Sequence, residues 1–99
     1  MAINDDRPLL ANPDIVFREE DEGSFLFDPD SGELKCLNLM GAVIWKLLDG
    51  SHSPGAIISM ISDRYPDIPS SNIQQQVQSF LQELINMGYA GSRADESSQ

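Results

Sequence analysis

The sequence contains little that could carry out chemistry. One cysteine and one histidine stand among 99 residues. A lone cysteine cannot form an internal disulfide, and a lone histidine without further Cys or His ligands does not make a zinc site. No glycine-rich phosphate loop, G-x-S-x-G or H-E-x-x-H pattern is present. These absences predict a protein that is not an enzyme and that carries no cofactor and no metal ion.

Positive charge is also scarce. Six basic residues stand against sixteen acidic ones, which gives a net charge of −10 at pH 7. An acidic surface repels the phosphates of nucleic acids and of anionic membranes. No apolar run approaches the roughly 20 residues that cross a bilayer, and the start, MAINDDRPLL, has acids where a signal peptide needs basic residues. We therefore expect a cytoplasmic protein that binds neither nucleic acid nor membrane.

The length and the composition of the ends predict one domain. A chain of 99 residues buries only about 60–65% of its unfolded surface, which leaves one core and no deep cofactor cavity. Residues 1–12 have little pattern and are expected to form a flexible arm. Residues 91–99 are small and polar and are expected to form a disordered tail. The folded domain is predicted to span residues 13–90.

Three short strands are predicted before the middle of the chain. They are residues 14–18, 24–27 and 33–37. Four acids at 19–22 favour solvent, and Gly23 can supply positive φ, so a turn is expected between the first two strands. In the D-P-D-S-G segment, Pro29 presets φ and Gly32 fits a left-handed position, which predicts a second turn. Strands joined by tight turns predict an antiparallel meander.

Three helices are predicted after the strands, because apolar residues recur at three- and four-residue spacing. They run from about Leu39 to Asp49, from Pro54 to Tyr65 and from Ile73 to Met87. Asn38 is the expected N-cap of the first helix, and Gly50 is its expected C-terminal glycine. Ser53 is expected to cap the second helix, and Ser71 with Gln74 is expected to form the capping box of the third. The predicted fold is α+β and winged-helix-like, a three-stranded antiparallel meander followed by three helices.

The residues with reactive side chains favour structural interpretations. Cys36 is expected to be a small buried hydrophobic residue, because Lys35 next to it points to the other face of a strand and cannot activate the thiol. His52 is expected to lie in a solvated loop. Trp45 is expected to hold the first helix against the core.

Binding is the remaining class of function, and the residues leave two hypotheses open. If residues 33–37 lie at the edge of the sheet, a peptide could add beside them as a fourth strand, with side chains in a groove against the third helix. The alternative is an acidic protein-interaction scaffold that has no peptide groove and uses the turn at 19–22. A DNA-binding winged helix is disfavoured, because residues 73–87 contain no lysine or arginine to contact phosphates.

A longer motif extends over three segments of the chain. It consists of L-N-x-x-G-x-x-I-W-x-L-L-D-G at 37–50, the D-P-D-S-G turn at 28–32, and F-L-x-x-L-x-x-x-G at 80–88. By these motifs, residues 13–88 resemble the PqqD family. The resemblance implies a winged-helix-like domain that binds the leader of a ribosomally made precursor peptide. Such a domain presents the leader to a modifying enzyme, often a radical SAM protein, in the biosynthesis of PQQ or a related product. The Ile44–Trp45 pair looks more like stand-alone relatives than like members of the PQQ pathway.

The resemblance also implies where the peptide binds, namely on the third strand and the third helix. The side chains expected to contact the peptide are Leu34, Lys35, Cys36, Leu37, Gln74, Val77, Gln78 and Leu81. The strand register decides which strand side chains face the peptide, because a shift of one residue exchanges the two faces.

Overall fold

The computed structural model of the protein describes residues 7–92, which form two three-stranded sheets and three helices. The strands are Leu9–Ala11 (β1), Val16–Glu20 (β2), Gly23–Phe27 (β3), Leu34–Leu37 (β4), Asp49–His52 (β5) and Ala90–Ser92 (β6). The helices are Leu39–Lys46 (α1), Pro54–Arg64 (α2) and Ser70–Met87 (α3). This architecture confirms the predicted α+β class, with a meander followed by helices. Its likeness to a winged helix stays a prediction.

The larger sheet is the predicted meander, with strand order β2-β3-β4 and antiparallel pairing throughout. Gly23, at φ +145°, follows the acidic turn. The turn between β3 and β4 is closed by Gly32, whose N–H donates to the Asp28 carbonyl at 2.7 Å. Gly32 has φ +79°, a conformation that glycine adopts without the steric cost of a Cβ. Both predicted turns are found, but the first is shorter than expected, because Glu19 and Glu20 belong to β2 and only Asp21 and Glu22 form the turn.

The smaller sheet, with strand order β5-β1-β6, was not predicted. Strand β1 lies between the other two and pairs antiparallel with each. The neighbouring backbone continues this pairing, since the Ala11 N–H donates to the Leu48 carbonyl at 2.9 Å. The Asn12 N–H donates to the Tyr89 carbonyl at 2.8 Å. The expected flexible arm is thus wrong for residues 9–11, and the expected tail is wrong for 91–92. The rest of those predictions, at 1–6 and 93–99, lies outside the described residues.

Helix α1 begins as predicted but ends early. The Asn38 side-chain Oδ1 accepts a hydrogen bond from the Gly41 N–H at 2.7 Å, which confirms the N-cap. The helix ends at Lys46, and the following N–H of Leu47 turns back to the Ile44 carbonyl. Gly50 has φ +87° but lies within β5, so its expected role as the end of the helix is wrong.

The other two helices differ in how their ends are capped. Ser53 Oγ accepts from the Ala56 N–H at 3.2 Å, which confirms the N-cap of α2. Helix α3 begins after Pro69, and no side chain caps it. The Ser71–Gln74 capping box is therefore wrong: α3 begins at Ser70, so Ser71 lies inside the first turn. Gly88 ends α3 in the left-handed conformation, as predicted.

The core lies between the helices and the inner face of the meander. Its fully buried side chains come from β3, from all three helices and from the segment between α3 and β6: Leu26, Ile44, Ile57, Ile61, Ile73, Val77, Leu81, Leu84 and Tyr89. Trp45 is also buried, at 8% exposure, in agreement with its expected role of holding α1 to the core. Helix α3 thus lies across the same face of the sheet toward which α1 packs, close to strand β4.

Candidate functional site

Strand β4 is an edge of the larger sheet. It pairs with β3 on one side, and no described strand pairs with it on the other. The Asp28 N–H donates to the Glu33 carbonyl at 3.0 Å, so this pair is hydrogen-bonded in the register that places Phe27 opposite Leu34. Hydrogen-bonded and non-hydrogen-bonded pairs alternate along antiparallel strands. The main-chain groups of Leu34 and Cys36 therefore face the open edge.

The side chains of β4 divide between the two faces of the sheet. Lys35 lies opposite the buried Leu26, so Lys35 and Leu37 point toward the helices. The Lys35 Nζ lies 2.8 Å from Glu83 Oε2 on α3. It also lies 5.9 Å from the ring centroid of Phe80. One side chain of the edge strand thus bridges directly to the third helix.

A cavity of about 360 Å³ opens beside this bridge. It lies where β4 gives way to α1, and α3 forms its far wall. Its lining residues are Asn38, Met40, Gly41, Ile44, Gln75, Gln76, Ser79, Phe80 and Glu83. Together with the open edge of β4, this cavity forms what we call the β4–α3 cleft. Its volume lies within the range of about 300–1,000 Å³ that is typical of small-ligand pockets.

A glycine allows the helices to approach each other at the floor of the cleft. A Cβ at position 41 would lie 3.2 Å from Asn38 Oδ1 and 3.5 Å from the Phe80 ring. Because the Asn38 oxygen is held by its bond to the Gly41 N–H, it has little freedom to move away. Gly41 therefore lets the start of α1 lie close to Phe80, which shapes the cleft.

The predicted residues of the third helix do not line this cleft. Val77 and Leu81 are fully buried in the core, so their expected place on the wall of a peptide groove is wrong. At about 100° per residue, Gln74 and Gln78 lie on the flank of the helix opposite to the flank that carries Glu83. The apolar stripe of α3 is used by the core, and the cleft uses the neighbouring polar stripe.

Cys36 is also placed differently from the prediction. It was expected to be buried, but it is exposed and shares a face of the sheet with Phe25, directly opposite it on β3. Leu34 points to the same side and is 57% exposed. Both residues therefore present backbone to the open edge but side chains away from α3. Leu37 is buried, at 8% exposure. Of the four predicted strand residues, Lys35 is the one that bridges to the third helix.

The α3 residues that sequence reasoning missed share one signal. On α3 they recur at i, i+3, i+4 and i+7 beside the apolar stripe, with Phe80 between the two stripes. The missed residues are Gln75, Gln76, Ser79, Phe80 and Glu83 on α3, and Met40 and Gly41 on α1. A helical-wheel projection of α3 that was searched for polar stripes as well as apolar ones would have selected the α3 residues. The α1 members follow from the absence of a loop between β4 and α1.

Comparison with known proteins assigns the chain to a family. A family model described as Coenzyme PQQ synthesis protein D (PqqD) matches residues 23–89, more than half of the chain. The chain belongs to the PqqD family. The match begins at β3 and includes β4, all three helices and hence the whole β4–α3 cleft. It leaves out β1, β2 and β6. Among curated proteins, none matches this PqqD family member.

Two solved structures have a similar fold. One is described as lasso peptide synthetase B1 complexed with the leader peptide; it shares 25% identity at a TM-score of 0.73, covering 85% of this chain and 98% of that one. The other is described as TbiB1 in complex with the TbiA(beta) leader peptide, with 22% identity and a TM-score of 0.70. That match covers 82% of this chain and 93% of that one. At 22% identity, the second likeness shows the fold alone.

A polar cluster in β5 of this PqqD family member resembles a catalytic triad in composition only. Asp49 Oδ1 accepts from the Ser51 hydroxyl at 2.7 Å and lies 3.0 Å from His52 Nδ1. The same Nδ1 lies 3.1 Å from the Leu47 carbonyl, which can only accept, so Nδ1 carries the proton. The serine therefore faces no base. The cluster closes a turn, and His52 is half-buried and bonded rather than in a solvated loop.

The same cluster sets the acidity of Asp49. Hydrogen bonds from the Ser51 hydroxyl and N–H and from His52 lower the pKa of Asp49 from 3.8 to about 2. Each of these bonds favours the ionised carboxylate. Across residues 7–92, no three His, Cys, Asp or Glu side chains gather into a group that could hold a metal ion. No helix in that range combines the length and the hydropathy that a bilayer crossing requires.

Proposed function

We propose that this protein is a non-catalytic peptide chaperone. It binds the leader segment of a ribosomally made precursor peptide as a fourth strand beside β4 and presents it to the enzyme that modifies the precursor. The observation that carries the proposal is the open edge of β4, from which Lys35 reaches Glu83 in the lining of the cavity between α1 and α3. Membership of the PqqD family supports it, as does the likeness to a lasso peptide synthetase B1 that is complexed with a leader peptide.

Strand addition accounts for affinity without a deep pocket. The N–H and C=O groups of Leu34 and Cys36 can form four main-chain hydrogen bonds to the peptide, at a net ~1 kcal/mol each. Alternate peptide side chains would point into the cleft. Two that bury apolar surface at about 2 kcal/mol each bring the sum to about 8 kcal/mol, which corresponds to a Kd near 1 µM.

The lining of the cleft specifies the kind of peptide side chain that fits. Met40 and Phe80 supply apolar surface, and Gln75, Gln76 and Ser79 supply neutral hydrogen-bonding groups. Glu83 is the one carboxylate of the lining, and it is paired with Lys35. The cleft thus has no uncompensated charge. We infer that it accepts an apolar side chain of the leader, flanked by backbone that the glutamines can hydrogen-bond.

The partner enzyme is part of the same proposal. A radical SAM enzyme and the PQQ pathway stay predictions from the family resemblance, and a cytoplasmic location stays a prediction from the composition. A role in binding DNA is disfavoured by charge, since α3 contains no lysine or arginine. The alternative of an acidic scaffold without a peptide groove would place its contacts at residues 19–22 rather than in the cleft.

Amide chemical-shift mapping tests the proposal. The probe is a synthetic leader peptide, taken from a short precursor gene if one is found beside the gene for this protein, titrated into ¹⁵N-labelled protein. We expect shifts on β4 and along the 75–83 flank of α3. Shifts confined to the acidic turn at 19–22 would instead support the scaffold, and the absence of any shift would refute leader binding.

A matched pair of variants tests the backbone bonds. Cys36→Pro removes an N–H that faces the open edge and is not used by β3, whereas Cys36→Ala keeps it. Proline is tolerated on edge strands where its missing N–H faces outward. We expect the proline variant to weaken leader binding more than about fivefold and the alanine variant to bind normally. A leader N-methylated at alternate amides tests the same bonds without altering the protein.

A further inference from the structure

The face of the larger sheet that points away from the helices is apolar and open. The register places Val16, Phe27 and Leu34 in one row across the three strands, and Arg18, Phe25 and Cys36 in the next. We call these six side chains the outer face. Val16 is 41% and Leu34 57% exposed, and Cys36 is exposed between them and the acidic turn. A contiguous apolar row of this kind on an acidic protein marks an interaction surface.

The border of the outer face carries negative charge at both ends. Glu20, Asp21 and Glu22 lie exposed at the turn that joins β2 to β3. Asp30 and Glu33 lie exposed at the turn that joins β3 to β4. Arg18 is the one basic side chain of the outer face, and its guanidinium is paired with Glu20 at 3.2 Å. A partner therefore needs an apolar centre with basic residues around it.

A second cavity, of about 260 Å³, lies at the acidic end of the outer face. The Phe25 ring and Cys36 give it an apolar wall, and the carboxylates of Glu20 and Glu22 stand at its rim. An arginine or lysine side chain matches this arrangement, because its aliphatic stem can cover the apolar wall while its charged end reaches the carboxylates. The cavity is thus the place where a basic side chain of the partner would contact the acidic border of the outer face.

We propose that the outer face is the docking surface for the enzyme that modifies the precursor, through an apolar patch on that enzyme bordered by lysine and arginine. This inference rests on the proposed function. It gains support from the double role of β4: Leu34 and Cys36 turn their main chain to the open edge and their side chains to the outer face. An enzyme seated on the outer face touches the strand that holds the leader, so the peptide emerges beside it.

The test measures enzyme and leader separately on the same variants. The probes are a purified peptide-modifying enzyme, taken from the gene neighbourhood of this protein if one is found there, and the synthetic leader used above. Val16→Ser removes apolar surface, and its control is Met60→Ser on α2, where Met60 is equally exposed at 43%. Glu22→Lys reverses a border charge, and its control is Asp67→Lys in the turn before α3. Melting curves check that each variant is folded.

We expect Val16→Ser and Glu22→Lys each to weaken enzyme binding more than about fivefold, with both controls and the leader Kd unchanged. Added salt should weaken wild-type enzyme binding and have less effect on Glu22→Lys. Unchanged enzyme binding in both variants overturns the docking surface. Self-association of the wild-type protein that Val16→Ser abolishes also overturns it, because the outer face then binds a second copy of this chain. If both variants lose enzyme binding but the wild-type protein does not bind leader, the proposed function is refuted. The docking surface is supported in that case.

Discussion

The Lys35 ammonium lies 2.8 Å from the Glu83 carboxylate, so a single ion pair joins the edge strand to the third helix. The Lys35 side chain is only 20% exposed. We expect a double-mutant cycle with Lys35→Met and Glu83→Gln to give a coupling of about 0.5–1 kcal/mol in the free energy of unfolding. A partly buried pair is less screened by solvent than an exposed one.

The pair Lys46–Glu19 is the internal control for this cycle. Its atoms lie 3.1 Å apart, but both side chains are more than half exposed. Lys46→Met with Glu19→Gln should therefore give a smaller coupling, closer to zero, that disappears at high salt. Equal couplings for the two pairs would show that burial of Lys35 has no energetic effect on the link between β4 and α3.

Removal of the α1 cap should lower stability. Asn38→Ala deletes the oxygen that accepts the Gly41 N–H and leaves that donor without a side-chain partner. We expect a loss of about 1 kcal/mol in urea denaturation. Asn72→Ala, the same change at an exposed position within the first turn of α3, should cost less than about 0.5 kcal/mol. If the two variants unfold at the same urea concentration, the cap does not stabilise α1.

Two glycine-to-alanine substitutions should change the stability of the protein in opposite directions. Gly88 ends α3 at φ +80°, and a Cβ there would meet nothing within 4 Å. Gly88→Ala therefore isolates the cost of the left-handed backbone, about 1–2 kcal/mol of lost stability. Gly55 lies inside α2 at an ordinary φ, again with open space. Gly55→Ala should raise stability by about 0.5–1 kcal/mol. Thermal melts of both variants check the pair, and a shift of Tm in the same direction would contradict it.

Acid should weaken the fold through Asp49. Its pKa is about 2 in the folded protein against an ordinary value of 3.8, because the bonds from Ser51 and His52 favour the carboxylate. A depressed pKa contributes stability that is fully present above about pH 4 and is lost as the pH falls toward 2. The stability difference between wild type and Asp49→Asn should therefore shrink over that interval.

The Asp49 assignment has its own spectroscopic check. Ser51→Ala removes the largest cause of the shift and should raise the pKa of Asp49 measured from its carboxyl ¹³C resonance. Ser59→Ala, on the exposed side of α2, should leave the pKa of Asp49 unchanged. A normal pKa for Asp49 in the wild-type protein would show that the turn of β5 is not formed in solution.

Local signals in the sequence were enough for the meander and for the starts of α1 and α2. Asn38 and Ser53 cap α1 and α2 through short-range bonds that depend on residues three positions apart. The smaller sheet could not be predicted in this way. Its strands are three or four residues long, and Asp49–His52 and Ala90–Ser92 have neither alternation nor β-branched residues. Strands β5 and β6 form because β1 lies between them in the folded protein and pairs with both.

The location of the cleft could be predicted from the sequence, but most of its side chains could not. The edge position of β4 was a condition of the strand-addition hypothesis that the strand order meets, and a groove against α3 was part of the same hypothesis. On α3, the prediction assigned the same apolar stripe both to the core and to the wall of the peptide groove. Val77 and Leu81 are needed by the core, so the wall of the cleft falls to the next stripe, with Ser79 and Glu83. On β4, pairing register decided that Cys36 turns outward.

The position of β1 between β5 and β6 determines when the protein can be completed during translation. Leu9 lies opposite His52 on one side and opposite Ser92 on the other. Leu9 is made before the meander and all three helices, but its second partner leaves the ribosome after them. A nascent chain halted before residue 90 can carry β4 and α3 while the pairing of β1 with β6 is still missing.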